Sequence, residues 1–222
     1  MKAMLLAAGR GERMGALTDH CPKPLLKVAG KPLLRHHLER LAQAGITEVV
    51  VNTAYLAEQI EHFLTLQTDL DLIIHASHEP ERLETGGGIH NALPLLGDAP
   101  FVLLNSDVWS DFPLQRLSLA SNALAHLVLV ANPEHNPVGD FAIKGRYAVA
   151  DAEPRFTFSG ISVLDPALFK DSVAGCFPLA PLLREVMRNN QVQCEFYNGY
   201  WIDVGTPQRL QAVEQMFQEQ MS

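Results

Sequence analysis

Apolar and polar positions change rhythm about halfway along the chain. Residues 2–7 form an almost unbroken apolar run, the pattern of a short buried strand, and residues 8–22 are too polar and glycine-rich to be anything but a loop. Residues 31–44 place Leu34, Leu38 and Leu41 at i, i+4 and i+7, with Pro32 in the first turn and Gly45 as a stop, which predicts a helix. Val49-Val50-Val51 makes 48–52 a strand; 57–66 reads as helix, 70–75 as strand, 87–96 as the next helix and Phe101–Asn105 as a fourth strand. Strands alternating with helices at this spacing predict parallel β-α-β units, right-handed crossovers and helices on both sheet faces.

After Asp107 the spacing shortens. Residues 127–131, 140–143, 147–150 and 156–163 read as closely set strands, 178–188 as a helix and 192–197 as a strand. Thr206 is placed to cap a last helix that starts at Pro207 and lines up Leu210, Val213 and Phe217 on one face. The chain therefore reads as one α/β domain in two halves: 1–110 binding a nucleotide, and a mixed 111–222 half covering the carboxyl edge of the sheet, where α/β proteins bind ligands.

Composition narrows this picture. With 222 residues, 47% hydrophobic and 19% charged, the chain is long and apolar enough for a core without staples. Its three cysteines, Cys21, Cys176 and Cys194, form no C-x-x-C pair, which argues against a disulfide scaffold and a cysteine zinc site. The longest apolar runs fall short of a membrane span, and residues 3–8 end in glycines rather than at a cleavage site, so a cytoplasmic protein without membrane attachment is expected. A net charge of −8 argues against nucleic-acid partners. Residues 1–40, however, hold eight Lys and Arg against three Asp and Glu, while the remainder holds nine against twenty-two. A basic segment on an acidic protein suits a local anion site, or simply a solvated basic face. With no coiled-coil heptads or long apolar edge, a monomer is expected.

The chemistry concentrates where the first strand ends. Ala8, Gly9, Gly11, Glu12 and Arg13 form a loop whose glycines let backbone N–H groups turn toward phosphate. Met14 stands where G-x-G-x-x-G needs its third glycine, and no Gly-Lys-Ser/Thr follows, so neither common phosphate fingerprint applies. Lys23 is bracketed by Pro22 and Pro24, which restrict the backbone that carries it. Asp107 ends an apolar strand, and Asp203 sits among Trp201, Ile202 and Val204. Each is either a turn or capping residue or a carboxylate for a hard cation such as Mg²⁺, which takes one or two carboxylates together with water and substrate phosphate. Gly86-Gly87-Gly88 either loosens a helix start or lets a flat base lie against bare backbone. Gly139-Asp140 is a hairpin turn or a sugar contact. The nine histidines lack metal-ligand spacing and read as structural or exposed.

Taken together, L-A-A-G-x-G-x-R-M, P-K-P-L, Asn105-Ser106-Asp107 and W-x-D-x-G-T at 201–206 resemble the signature of sugar-1-phosphate nucleotidyltransferases. Leu83 to Gly88 resembles that family's base-binding turn, with Thr85 and Gly86 at the base. The ensemble, with Phe158 to Val163, most resembles the members acting on N-acetylmuramate 1-phosphate. The resemblance implies a Rossmann-like, three-layer α/β/α fold of glycosyltransferase-A type with a mostly parallel central sheet. It implies UTP and a sugar 1-phosphate as substrates, Arg13 and Lys23 as the catalytic cations, and Asp107 and Asp203 on Mg²⁺. Asn105, Asp140 and Gly160 are then the contacts to the sugar. Glucose, mannose or heptose 1-phosphate with UTP, dTTP or GTP is the competing substrate set, and a nucleotide sensor without turnover the competing class. Glu84 and Gly86 stand where many relatives have Gly and Ala, Ser106 where many have Gly, and an Glu-Lys-Pro element is missing, with Glu153-Pro154 in its neighbourhood. Ser106 is tolerable if its φ stays negative.

Overall fold

The computed structural model describes residues 1–220. In its first half, β1 (Ala3–Leu6) leads through the glycine-rich loop to a ribbon of β2 (Lys27–Val28) and β3 (Lys31–Pro32), then α1 (Leu33–Gln43), β4 (Glu48–Thr53), α2 (Ala57–Thr65), β5 (Ile73–His78), α3 (Glu84–Leu96) and β6 (Phe101–Asn105). The second half holds β7 (Val108–Ser110), β8 (Ala125–Val130), β9 (Phe141–Lys144), β10 (Tyr147–Val149), β11 (Arg155–Leu164), α4 (Leu179–Met187), β12 (Val192–Phe196), β13 (Trp201–Asp203) and α5 (Pro207–Gln220). Nine strands form one sheet in the order β5-β4-β1-β6-β11-β8-β12-β10-β9. The β5-β4-β1-β6 block is parallel throughout, whereas β11 joins it antiparallel and the rest is mixed, with β8 and β12 again parallel. The second half thus extends the sheet sideways.

Alternation along the strands builds the three layers. Leu5, Val49, Val51, Val102 and Leu104 face α1 and α2 together with Leu34, Leu38 and Ile60. Met4, Val50, Phe101 and Leu103 face the other way, onto Ile89 of α3 and Leu179 and Leu183 of α4. Val204 and Val213, with Leu210 and Phe217, seat α5 against Val28 and Leu33, the face expected for that helix.

Several boundaries differ from expectation. The helix expected over 31–44 begins at Leu33, because Lys31 and Pro32 pair with Lys27 and Val28. The strand expected over 70–75 lies at Ile73–His78, since Leu70 and Leu72 pack on the core as part of the preceding loop. The loop over 8–22 contains 3-10 turns at Glu12–Thr18 and Lys23–Leu25 follows as another. Helix α3 starts at Glu84, three residues before the expected start, so the triple glycine lies inside the helix. Glu84 itself has φ 58°, a left-handed conformation that suits the glycine many relatives carry.

The triple glycine admits a neighbouring segment. The Phe177 N–H donates to the Leu83 carbonyl (3.1 Å), and the Gly87 N–H donates to the Phe177 carbonyl (3.0 Å). A Cβ on Gly86 would lie 2.5 Å from the Phe177 ring, and one on Gly87 2.0 Å from the Gly175 carbonyl oxygen. The bare face of Gly86 is therefore filled by Phe177, and the flat base platform expected from those glycines is a docking strip for 175–177.

Candidate active site

The carboxyl ends of β1, β4 and β6 place Leu6, Asn52 and Asn105 side by side in register. Beyond them the chain opens a cavity of about 480 Å³, with residues 6–13 along one wall, Asn105 to Asp107 along the floor and Arg82, Glu84 and Thr85 at the far end. This is the position where parallel sheets offer a crevice, because strand ends diverge into loops on opposite faces.

The loop is braced rather than slack. The Ala7 N–H donates to Asn52 Oδ1 (2.7 Å), Asn52 Nδ2 donates to Glu79 Oε1 (2.7 Å), and the Leu83 N–H donates to Glu79 Oε2 (3.1 Å). Asn52 and Glu79 are 3% and 2% exposed, so this chain of bonds ties the glycine-rich loop to the start of α3 through buried side chains. Gly11 sits at φ 69°, the left-handed region that favours glycine, and a Cβ there would press on the stem of Lys23 at 3.1 Å. The Pro22-Lys23-Pro24 turn closes with the Leu25 N–H on the Pro22 carbonyl (2.8 Å) and leaves Lys23 only 8% exposed. Lys23 Nζ reaches Asp107 Oδ2 at 2.5 Å.

Asp107 follows a turn fixed from below. Ser106 donates both its N–H (3.1 Å) and its hydroxyl (2.6 Å) to the Leu6 carbonyl, and it is not among the residues with positive φ, so the expected tolerance of serine holds. His37 supports the same turn. Its Nε2 donates to the Ser106 carbonyl (3.1 Å), while Nδ1 is buried without a partner, the arrangement of a neutral imidazole. Burial, and then the nearby Arg40 charge, pushes its pKa down to about 3.

The second carboxylate arrives by strand pairing. Antiparallel β7 and β13 set Asp203 opposite Val108, and the Val204 N–H donates to the Asp107 carbonyl (2.7 Å). This pairing brings the backbones of Asp107 and Asp203 together from 96 residues apart. Each already has a cation: Asp203 is bonded to Arg209 Nη1 and lies 3.2 Å from His135 Nε2. Asp203 does not line the cavity; its Oδ2 lies beside Gly205, which does.

Of the expected sugar contacts, Asn105 lines the cavity, whereas Gly160 does not and packs against the Asn105 side chain. Gly160 occupies a register break in β11 at φ 78°, where a Cβ would come within 2.7 Å of the Asn105 amide. Asp140 does not line the cavity. Its Oδ2 accepts from the Phe158 N–H (2.8 Å) and from Asn136 (3.3 Å), which pins β11 beside the break. Thr85 lines the cavity; Gly86 does not. Sequence reasoning leaves Asn52, Glu79 and Arg209 unassigned, and reads every histidine as structural or exposed; His37 is buried and structural, and His135 is exposed, with Asp203 beside it.

The Nucleotidyl transferase family model matches residues 2–142. The chain belongs to that family. It is 48% identical over 224 residues to the N-acetylmuramate alpha-1-phosphate uridylyltransferase of Neisseria meningitidis serogroup B, covering 96% of this chain and 97% of that one. It is 33% identical to the protein of the same name from Caulobacter vibrioides, covering 96% and 95%. The fold matches that of the inositol-1-phosphate CTP transferase from T. maritima with a TM-score of 0.80 at 16% identity, over 97% of this chain and 94% of that one. The nucleotidyltransferase has no helix, among its described residues, long and apolar enough to cross a membrane.

His37 makes the support under Asp107 sensitive to acid. The folded protein keeps this imidazole neutral, whereas the unfolded chain takes up a proton near pH 6.5. Its stabilising contribution is complete above pH 6.5 and is lost as the pH falls from there toward 3. Urea unfolding between pH 7 and pH 5 should show stability falling more steeply in wild type than in His37→Gln, the difference approaching about 1.4 kcal/mol per pH unit. Parallel pH profiles would show that His37 does not titrate on unfolding.

Proposed function

We propose that the protein transfers UMP from UTP to N-acetyl-α-muramate 1-phosphate, giving UDP-N-acetylmuramate and pyrophosphate, a cytoplasmic step of peptidoglycan recycling carried out by a monomer. The observation that carries the reading is the end-to-end similarity to two proteins of that name, joined to a cation-lined cavity at the sheet's carboxyl edge.

The chemistry asks little of the protein as acid or base. A phosphate monoester has a second pKa of about 6 and is largely dianionic at neutral pH, so an oxygen of the sugar 1-phosphate is already a nucleophile. It attacks the α-phosphorus of UTP, a new P–O bond forms, and the α–β bridging P–O bond breaks with its electron pair leaving on pyrophosphate. The obstacle is repulsion between polyanions. Lys23, Arg13 and the loop N–H groups of 8–13 hold the triphosphate and offset the charge that builds up on it. Thr85 and the start of α3 hold the base, and Asn105 and Gly160 meet the sugar, with Asp140 fixing the β11 segment that carries Gly160.

Asp107 and Asp203 are the residues that would hold Mg²⁺. Two hard carboxylates, one from the turn before β7 and one from its partner β13, suit an ion that completes its shell with water and substrate phosphate, and among the described residues no cluster of three or more ligating side chains competes for it. Bound there, it would supply positive charge to the triphosphate.

Pyrophosphate release measured for UTP, dTTP, GTP and CTP against a panel of sugar 1-phosphates tests the assignment. N-acetylmuramate 1-phosphate with UTP should give the highest kcat/KM; a tenfold preference for N-acetylglucosamine 1-phosphate would refute the sugar assignment. Lys23→Ala should lower turnover roughly a hundredfold, about 3 kcal/mol, without loss of fold. Near-normal turnover in that variant would remove Lys23 from the site.

A further inference from the structure

The sugar phosphate must sit beside the α-phosphate, opposite the leaving pyrophosphate, and it brings two more negative charges to a site whose first-half cations already face the triphosphate. A cation from the second half is needed. Arg155 of that half pairs with the exposed Glu153, and Lys170 with the exposed Asp171. Arg209 is different. It lies in the first turn of α5, capped by Thr206, and three anchors fix its guanidinium. Nη1 bonds Asp203 and lies 3.2 Å from the ring nitrogens of His135, and Nε lies 3.4 Å from Thr206 Oγ1. Nη2 is directed at Gly205 on the cavity wall: a Cβ on Gly205 would stand 2.8 Å from Arg209 Nη2 and 2.9 Å from Arg13 Nη2. Two guanidinium groups, one from each half of the chain, therefore meet over the bare Cα of one wall residue. Any larger residue at 205 would occupy the space they share.

We infer that Arg209, held by Asp203 and His135, binds the phosphate of the sugar 1-phosphate, with Arg13 across the Gly205 gap on the triphosphate side. The inference rests on the proposed transferase reaction, and it concerns the phosphate common to all sugar 1-phosphates rather than the sugar. A guanidinium offers a planar set of donors matched to phosphate oxygens, and here its orientation is fixed before substrate arrives. His135 is a positioning residue that acts through Arg209.

Steady-state kinetics on the full-length enzyme separate this role from a structural one. Arg209→Gln should raise KM at least tenfold for every sugar 1-phosphate that wild type accepts, while KM for UTP changes less than threefold. Arg209→Lys, which keeps the charge but loses the fork, should give an intermediate rise. His135→Ala should raise the same KM about threefold, and it carries the test together with Arg209→Lys if the glutamine variant fails to fold. Equal rises for UTP and sugar phosphate, or a loss confined to kcat, would overturn the inference and leave Arg209 as a brace for Asp203. If wild type favours a sugar other than N-acetylmuramate but Arg209→Gln weakens every sugar phosphate alike, the phosphate role stands and the sugar assignment falls. If wild type releases pyrophosphate with no sugar 1-phosphate, the transferase reading fails and this inference with it.

Discussion

The site depends on cations that are held by the protein's own carboxylates. A cavity that must receive a triphosphate and a sugar phosphate needs concentrated positive charge, and such charge repels itself while no substrate is present. Here Lys23 rests on Asp107 and Arg209 on Asp203. A buried or half-buried ion pair gains little over apolar packing, but leaving one partner alone is costly, so each pair holds its members in place. The pairing also fixes Lys23 on the cavity wall and Arg209 beside the wall residue Gly205 without requiring a bound ligand.

Bringing those pairs together is the task of the fold. Lys23 and Asp107 are 84 residues apart; Asp203 and Arg209 are only 6 apart, but His135, which joins them, lies 74 residues before Arg209. The parallel register of β1, β4 and β6 brings the phosphate loop, Asn52 and Asn105 to one edge, and the β7–β13 ribbon folds the chain's last quarter back onto Asp107. Interior braces then set the spacing of the walls: the Ala7–Asn52–Glu79–Leu83 bonds on the base side and His37 beneath Ser106 on the floor.

Much of this is legible in the sequence, for identifiable reasons. Apolar runs such as Val49-Val50-Val51 announce strands buried on both faces, and the prolines around Lys23 announce a constrained cation. Asp107 and Asp203 announce themselves as carboxylates beside apolar strand residues. Other features are not local and so leave no local mark. Nothing near Arg209 or His135 shows that a loop and a helix start will meet at Asp203. The glycines at 86–88 show that something approaches closely, but not that it is Phe177 and Gly175. Their poor helix propensity also hides the start of α3, because tertiary contacts with 175–177 outweigh it. The slip of β5 follows from Leu70 and Leu72, whose burial in a loop imitates a strand.

A double-mutant cycle in unfolding free energy, with Lys23→Met, Asp107→Asn and the double variant in the absence of substrate, addresses the charge pairing directly. If the cation is held by its carboxylate, the single variants each lose stability and the double variant recovers part of it, with a coupling of about 1–3 kcal/mol. Additivity within about 0.5 kcal/mol would show that Lys23 and Asp107 do not depend on each other, and would contradict the account of how the site keeps its charge in place.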